Sequence, residues 1–151
     1  MIVTFFGHKD AFLSDEEKKK LTDLLRSVLE KSPDAVFYLG DYGNFDYLCN
    51  SVLKELQKVF PLLRRIFVTP YLDPKYSRLK CAASRFDEVL YPFTERVPPR
   101  FAIHRRNRWM VDNADFIIAC IDHDWGGAIK AVEYALQRKK PCVNLGAYSM
   151  K

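Results

Sequence analysis

Residues 115–145 read DFIIACIDHDWGGAIKAVEYALQRKKPCVNL. Residues 115–121 are almost all apolar, which is typical of a strand in a sheet that is covered on both faces. Residues 127–139 have the apolar spacing of a helix, and an apolar run returns at 141–145. Strands that are separated by a helix pair in parallel through a right-handed crossover, so this segment predicts an α/β fold.

The same alternation of strands and helices extends through the rest of the chain. Further strands are predicted at 2–6, 35–39, 65–69 and 88–91, and further helices at 14–31, 45–60, 74–84 and 99–113. Ser14 and Glu17 form a capping box for the first helix, and Asn44 is predicted to cap the second. We therefore expect one domain over residues 1–151, a three-layer, Rossmann-like, doubly wound α/β fold with a mainly parallel sheet of about five to six strands.

The composition is that of a globular protein. Of 151 residues, 48% are hydrophobic and 28% are charged, which argues against disorder. No apolar run approaches the ~18 residues that a membrane helix needs, and the apolar start is predicted as a strand rather than a signal peptide. The four cysteines lack the paired spacing of a zinc site. We expect a cytoplasmic protein with reduced cysteines, no membrane association and, from its net charge of +5, a weak preference for anionic partners.

Three loops are predicted to meet at one edge of the sheet, because ligands of open parallel sheets bind beyond the carboxyl ends of the strands. These loops are 7–10, 40–44 and 122–127. Their glycines allow tight turns and the close approach of a phosphate, although an ordinary turn explains Gly40 and Gly43 equally well. Gly126 and Gly127 precede a helix whose first amides could hold an anion.

Acidic and aromatic residues in the same loops indicate other parts of a ligand. Trp125 could stack on a base or ribose, and its alternative role is packing. Asp46 would repel a phosphate, so it suits ribose hydroxyls better.

The helix at 99–113 places Ile103, Arg106, Asn107 and Met110 on one face, because these residues have i, i+3, i+4, i+7 spacing. If the apolar members face the core, Arg106 and Asn107 are drawn toward the edge of the sheet. An arginine there needs an acidic partner or an anionic ligand. The alternative is a basic helix that faces solvent.

Two further residues are candidates for acid–base chemistry. His8 directly follows the first strand and could make a polar contact or transfer a proton, or could be structural. Glu133 lies about two turns into the helix at 127–139, where a glutamate is usually just solvated. His123 and Asp124 share a loop, but no metal-site spacing connects them with His8, so neither a metal nor a cofactor is predicted.

Several segments together resemble the SLOG superfamily over residues 2–145. They are 4–10 (TFFGHKD), 40–46 (GDYGNFD), 97–103 (VPPRFAI), 106–110 (RNRWM), 125–128 (WGGA) and 133–135 (EYA). This superfamily unites the DNA-processing protein A fold with the "Lonely Guy" phosphoribohydrolases. Its members have Rossmann-like folds and are proposed to bind, sense or cleave nucleotides and derivatives such as ADP-ribose.

The catalytic motif of the phosphoribohydrolases is incomplete in this chain. Their arginine–lysine pair falls at Arg106 (or Arg105) and Met110, and their Pro-Gly-Gly segment is replaced by residues 121–124. Their glutamate falls at 129 or 130, and the nearest carboxylate, Glu133, lies about one turn later. The resemblance therefore implies the fold and the ligand pocket more strongly than the hydrolase chemistry.

The sequence leaves three functions open, and the first is a nucleotide-binding or sensing protein. Its expected ligand-binding residues are Gly7, Gly40, Gly43, Asn44, Asp46, Arg106, Asn107, Trp125, Gly126 and Gly127. The second is a nucleotide N-glycoside hydrolase, in which Glu133 or Asp46 stabilises the cation and His8 transfers the proton. The third, a nucleic-acid binder, is ranked last because the charge is modest. The resemblance also suggests a homodimer as a possible assembly, since phosphoribohydrolases of this kind are dimers with shared sites.

Overall fold

The computed structural model describes residues 1–41, 43–72 and 84–149. The strands are β1 (Ile2–Gly7), β2 (Val36–Leu39), β3 (Arg64–Val68), β4 (Glu88–Leu90), β5 (Phe116–Cys120) and β6 (Cys142–Asn144). The helices among these residues are α1 (Asp15–Lys31), α2 (Asn44–Leu56), α3 (Pro99–Asp112) and α4 (Gly127–Gln137). The helix predicted at 74–84 falls on residues 73–83, outside the described ranges, except for residue 84. Cys81 also lies outside those ranges.

The six strands form one sheet in the order β4-β3-β2-β1-β5-β6, and every neighbouring pair is parallel. The chain builds outward from β1 to β4 and then returns to the other side of β1 to start β5. The order of strands therefore reverses between β1 and β5, which is the switch point of a doubly wound sheet. The predicted α/β fold class is confirmed, and the sheet is parallel throughout.

Alternate side chains of the central strands pack on opposite faces of the sheet, as the two-residue period of a strand requires. Phe5 belongs to a core with residues of α1 and α2, such as Leu25 and Leu53. Its neighbour Phe6 belongs to a second core with residues of α3 and α4, such as Met110. The molecule thus has the three expected layers, with helices on both faces of the sheet.

The start of α2 differs from the prediction. Gly43, at φ 89°, is the N-cap, no side chain caps the helix, and Asn44 is its first helical residue. The Asn44 amide instead donates to the carbonyl oxygen of Lys9 at 3.0 Å. A Cβ on Gly43 would lie 2.6 Å from Lys9 Cα, so the loop after β1 packs directly on this turn. A backbone contact from a distant segment therefore replaces the predicted side-chain cap.

The α1 terminus follows the prediction, with Ser14 and Glu17 forming both bonds of the capping box. No helix in the described ranges has the length and apolar character needed to span a membrane.

Candidate functional site

A cavity of about 590 Å³ opens at the carboxyl edge of the sheet, at the switch point between β1 and β5. Its walls come from the end of β1 and the loop after it, Gly40 after β2, the loop after β5 with the start of α4, and one face of α3. This position is where ligands bind in open α/β sheets.

Three stacked rings form one wall of the cavity. The rings of His8 and His123 have centroids 3.4 Å apart and planes inclined by 17°. The ring of Trp125 stacks on His123 with centroids 3.6 Å apart at 20°. His8, at the inner end, is 5% exposed, whereas Trp125 is 66% exposed. The stack therefore runs from the sheet to solvent and ends in a flat aromatic surface.

His8 is held between polar neighbours from the β5 loop. Its Nε2 lies 3.4 Å from Asp122 Oδ1 and 3.4 Å from the amide nitrogen of His123. Burial lowers the pKa of His8 below its ordinary value of 6.5, and the nearby His123 lowers it further, against the opposing charges of Asp122 and Asp10. The neutral imidazole is therefore favoured at this position near neutral pH.

Arg106 lies at the base of the cavity and is 3% exposed. Its Nη1 donates to the carbonyl oxygens of Val68 at 2.8 Å and Gly40 at 3.2 Å. Val68 is the last residue of β3, and Gly40 directly follows the neighbouring strand β2. Its Nε donates to Asn107 Oδ1 at 2.9 Å. The guanidinium thus ties α3 to the edge of the sheet and brings positive charge to the cavity.

Gly40 provides the space that this arrangement needs. A Cβ on Gly40 would lie 3.1 Å from Arg106 Nη2 and 3.3 Å from Asp46 Oδ2, so both charged groups lie over the glycine. Asp46 is buried and lines the cavity. Asp41, which follows Gly40, has φ 54° and forms an ion pair with Arg85. Its Oδ2 lies 2.8 Å from Arg85 Nη2. The turn after β2 is therefore fixed by charged contacts as well as by glycine.

The start of α4 is open to the cavity. Gly126, at φ 100°, is the N-cap, and no side chain caps the helix. Cβ atoms added to Gly126 or Gly127 would meet nothing within 4 Å. The first turn contains no acidic residue. The first amides of a helix have no partner within it, so this end presents N–H donors to the cavity.

Most of the residues that the sequence singled out line this cavity. They are Gly7, His8, Gly40, Asp46, Arg106, Asn107, Trp125, Gly126 and Gly127. Gly43, Asn44 and Glu133 are not among the lining residues, and the side chain of Glu133 is exposed on α4. Ile103 also lines the cavity but is 37% exposed, so only Met110 of the predicted apolar pair is in the core.

Sequence reasoning missed two contacts. His123 stacks on His8, which lies 115 residues earlier in the chain, and Arg85 pairs with Asp41 across 44 residues. Neither contact has a local sequence signal, because each depends on how distant loops meet at the edge of the sheet.

The sequence matches no protein-family model and no curated protein. Among solved structures, this chain is similar to DNA processing protein A from Streptococcus pneumoniae, with 13% identity, a TM-score of 0.66, and coverage of 94% of this chain and 49% of that one. It is also similar to DNA processing protein A from Helicobacter pylori, which binds single-stranded DNA, with 16% identity, a TM-score of 0.63, and coverage of 95% and 64%.

A third similar structure is the Moco carrier protein of Chlamydomonas rheinhardtii, with 13% identity, a TM-score of 0.54, and coverage of 97% of this chain and 76% of that one. The chain thus spans about half of the first neighbour and 64% of the second. At these identities the likeness concerns the fold. The chain has the Rossmann-like α/β fold of these proteins.

Proposed function

We propose that this chain binds a nucleotide or a nucleotide derivative in the switch-point cavity. The observation that carries the proposal is the convergence of three features in one cavity: an open helix N-terminus, a buried arginine and a stacked aromatic wall. Together these features match the phosphate, the negative charge and the flat base of a nucleotide.

The phosphate fits the start of α4 better than the start of α2. Asp46 lies in the first turn of α2, where its carboxylate would repel an incoming anion. The first turn of α4 has no acidic residue, and Gly126 and Gly127 leave open space before it. We therefore assign the phosphate to the amides of residues 127 and 128.

The remaining parts of the ligand have complementary groups nearby. The exposed Trp125 offers a ring on which a base can stack, and base–aromatic stacking contributes about 1–3 kcal/mol. The Asp46 carboxylate and the Asn107 side chain line the same cavity and can bond to ribose hydroxyls.

A thermal-shift screen tests this proposal. The ligands are AMP, ADP, ATP, ADP-ribose, NAD, CMP and UMP, with adenosine as the matched ligand without phosphate. A ligand that binds only the folded state at 100 times its Kd stabilises the protein by about 2.7 kcal/mol. We expect at least one phosphorylated ligand to raise the melting temperature more than adenosine does. An unchanged melting temperature with every ligand would argue against a nucleotide site.

A second candidate function is hydrolysis of the N-glycosidic bond. Asp46 and His8 line the same cavity, so a carboxylate and a proton-transfer group are both present even though Glu133 is not. Chromatography of each incubation distinguishes the two functions. Intact ligand indicates binding or sensing, and released base with ribose phosphate indicates hydrolysis.

Binding of single-stranded nucleic acid is the remaining alternative. Arg100, Arg105 and Arg108 are exposed along α3, and their guanidiniums lie over the rings of Phe101, Phe93 and Tyr134. Contacts with several phosphates would give affinity that falls steeply with salt concentration. An oligonucleotide that binds with such a salt dependence and displaces no mononucleotide would favour this surface over the cavity.

A further inference from the structure

The ends of β1 and β5 bring three potential metal ligands together. His8 Nε2 lies 3.4 Å from Asp122 Oδ1, and His123 Nε2 lies 3.6 Å from the same oxygen. One ligand atom from each of the three residues lies within 4.8 Å of the other two. Across residues 1–41, 43–72 and 84–149, this is the one group of three or more such residues with that spacing.

The two distances to Asp122 Oδ1 are close to those between ligands of one ion. Direct hydrogen bonds of nitrogen to oxygen are about 2.7–3.2 Å long, which is shorter than either contact. A tetrahedral ion with bonds of about 2.0–2.2 Å separates its ligand atoms by roughly 3.3–3.6 Å. The nitrogens of His8 and His123 stand at this separation from Asp122 Oδ1.

His8 Nε2 has one polar neighbour that favours a cation, the Asp122 carboxylate, and one that opposes it, the His123 amide N–H. This nitrogen faces an amide N–H from His123 and a carboxylate oxygen from Asp122, each at 3.4 Å. A protonated Nε2 donates to the carboxylate but opposes the amide, and an unprotonated Nε2 accepts from the amide but turns its lone pair toward the carboxylate. A cation shared by Nε2 and Oδ1 satisfies both the ring and the carboxylate, and its binding replaces the long 3.4 Å contact from the His123 amide.

We propose that His8, Asp122 and His123 bind one divalent ion of the zinc type. Two imidazoles and one carboxylate favour zinc and neighbouring transition metals over magnesium and calcium, which prefer oxygen ligands. His8 and His123 both line the cavity, so the ion would lie at its wall, beside the space assigned to the nucleotide. This inference goes beyond the proposed function and does not depend on it, since the ion needs no nucleotide to bind.

Binding of the ion changes the ring stack. An imidazole coordinates through a lone pair in its own plane, so two nearly parallel rings cannot both aim at one ion. The His123 ring has to turn, and its Nδ1 has no hydrogen-bond partner among the described residues that would oppose this. Turning the His123 ring removes it from the face of Trp125 and so changes the environment of the indole.

Metal titrations test the site directly. Protein without an affinity tag, freed of metal by a chelator, is titrated with ZnSO₄ in a calorimeter and with CoCl₂ in a spectrophotometer. We expect one ion per chain and a cobalt spectrum without a thiolate charge-transfer band, which excludes the cysteines. Asp122→Asn and His123→Gln should each weaken binding at least tenfold. The matched controls Asp124→Asn and His104→Gln, at exposed positions outside the cluster, should bind as the wild type does.

Fluorescence provides a second readout. Zinc should change the tryptophan emission of the wild type with saturation at one equivalent, and Trp125→Phe should bind zinc without that change. Failure of the wild type to bind one ion per chain would overturn the proposal. Equal affinity of Asp122→Asn, His123→Gln and the two controls would overturn it as well.

Discussion

Gly7, the last residue of β1, shows how closely the site is packed against the core. A Cβ at this position would lie 2.4–2.5 Å from three atoms of the Phe45 side chain, which is buried in the core. We predict that Gly7→Ala lowers the free energy of unfolding by about 1–3 kcal/mol through overpacking. Urea denaturation measures this change.

Gly127→Ala is the matched control for Gly7→Ala. Its added Cβ meets nothing within 4 Å. The free energy of unfolding should therefore be unchanged or rise by up to about 1 kcal/mol, because alanine restricts the unfolded chain. Equal destabilisation by both substitutions would show that the contact with Phe45 is not the cause.

Arg106 has a structural role as well as its proposed role in binding. Its guanidinium donates to two backbone carbonyls at the edge of the sheet, and both would lose this donor. Arg106→Ala should therefore lower the free energy of unfolding by about 2–4 kcal/mol. Arg105→Ala, which removes an exposed contact of 3.6 Å with Glu95, should cost about 1 kcal/mol or less. A similar loss of unfolding free energy for the two variants in chemical denaturation would contradict the structural role of Arg106.

Cys49 and Cys120, which are buried, and Cys142, which is half-buried, should be chemically inert. Burial raises the pKa of Cys120 and Cys142 to about 11 and that of Cys49 well above 9. The thiolate is the reactive form, so these three residues should resist iodoacetamide at pH 8 until the protein is unfolded. Peptide mapping by mass spectrometry measures the labelling, and rapid modification of Cys120 in the native protein would refute the burial argument.

At the scale of the element, α1 is specified by its own sequence. The Glu17 amide donates to Ser14 Oγ at 3.2 Å, and the Ser14 amide donates to Glu17 Oε1 at 3.1 Å. Ser14→Ala should lower stability by about 1 kcal/mol because it removes the cap. Ser27→Ala, on the exposed face of the same helix, should have no destabilising effect in the same denaturation measurement. A loss of stability in Ser27→Ala as large as in Ser14→Ala would contradict the capping assignment.

Elements whose causes are local could be predicted, and features with distant causes could not. The capping box and apolar stripe of α1 need only neighbouring residues, and the parallel sheet follows from the alternation of elements. The start of α2 depends on the Lys9 carbonyl, 35 residues earlier than Asn44, so the predicted role of Asn44 as the cap is wrong. The prediction for Ile103 treated α3 as having one buried face, but that face ends at the cavity, where Ile103 is partly exposed.

At the scale of the whole molecule, the reversal of strand order explains the position of the site. The three loops that the sequence singled out follow β1, β2 and β5, which are neighbours around the switch point. The sequence could therefore indicate the edge of the sheet at which the cavity lies. It could not indicate the contact between His8 and His123, because that contact depends on the spacing and register of β1 and β5.

The central claim is that a phosphate binds at the start of α4. Substitutions at position 127 test it, because they can add a negative charge there with little change in size between variant and control. An aspartate at the first position of a helix interacts favourably with the helix dipole, and the space around Gly127 is open, so Gly127→Asp should fold normally. Its carboxylate would occupy the position assigned to the phosphate. Gly127→Asn is the control of nearly equal size without the charge.

The most direct measurement is calorimetric titration of the wild type, Gly127→Asp and Gly127→Asn with the nucleotide that gives the largest thermal shift. We predict that Gly127→Asp weakens binding at least tenfold, because it places like charges together, while Gly127→Asn retains most of the wild-type affinity. Equal affinities for the three proteins, or no nucleotide binding by the wild type, would contradict the account.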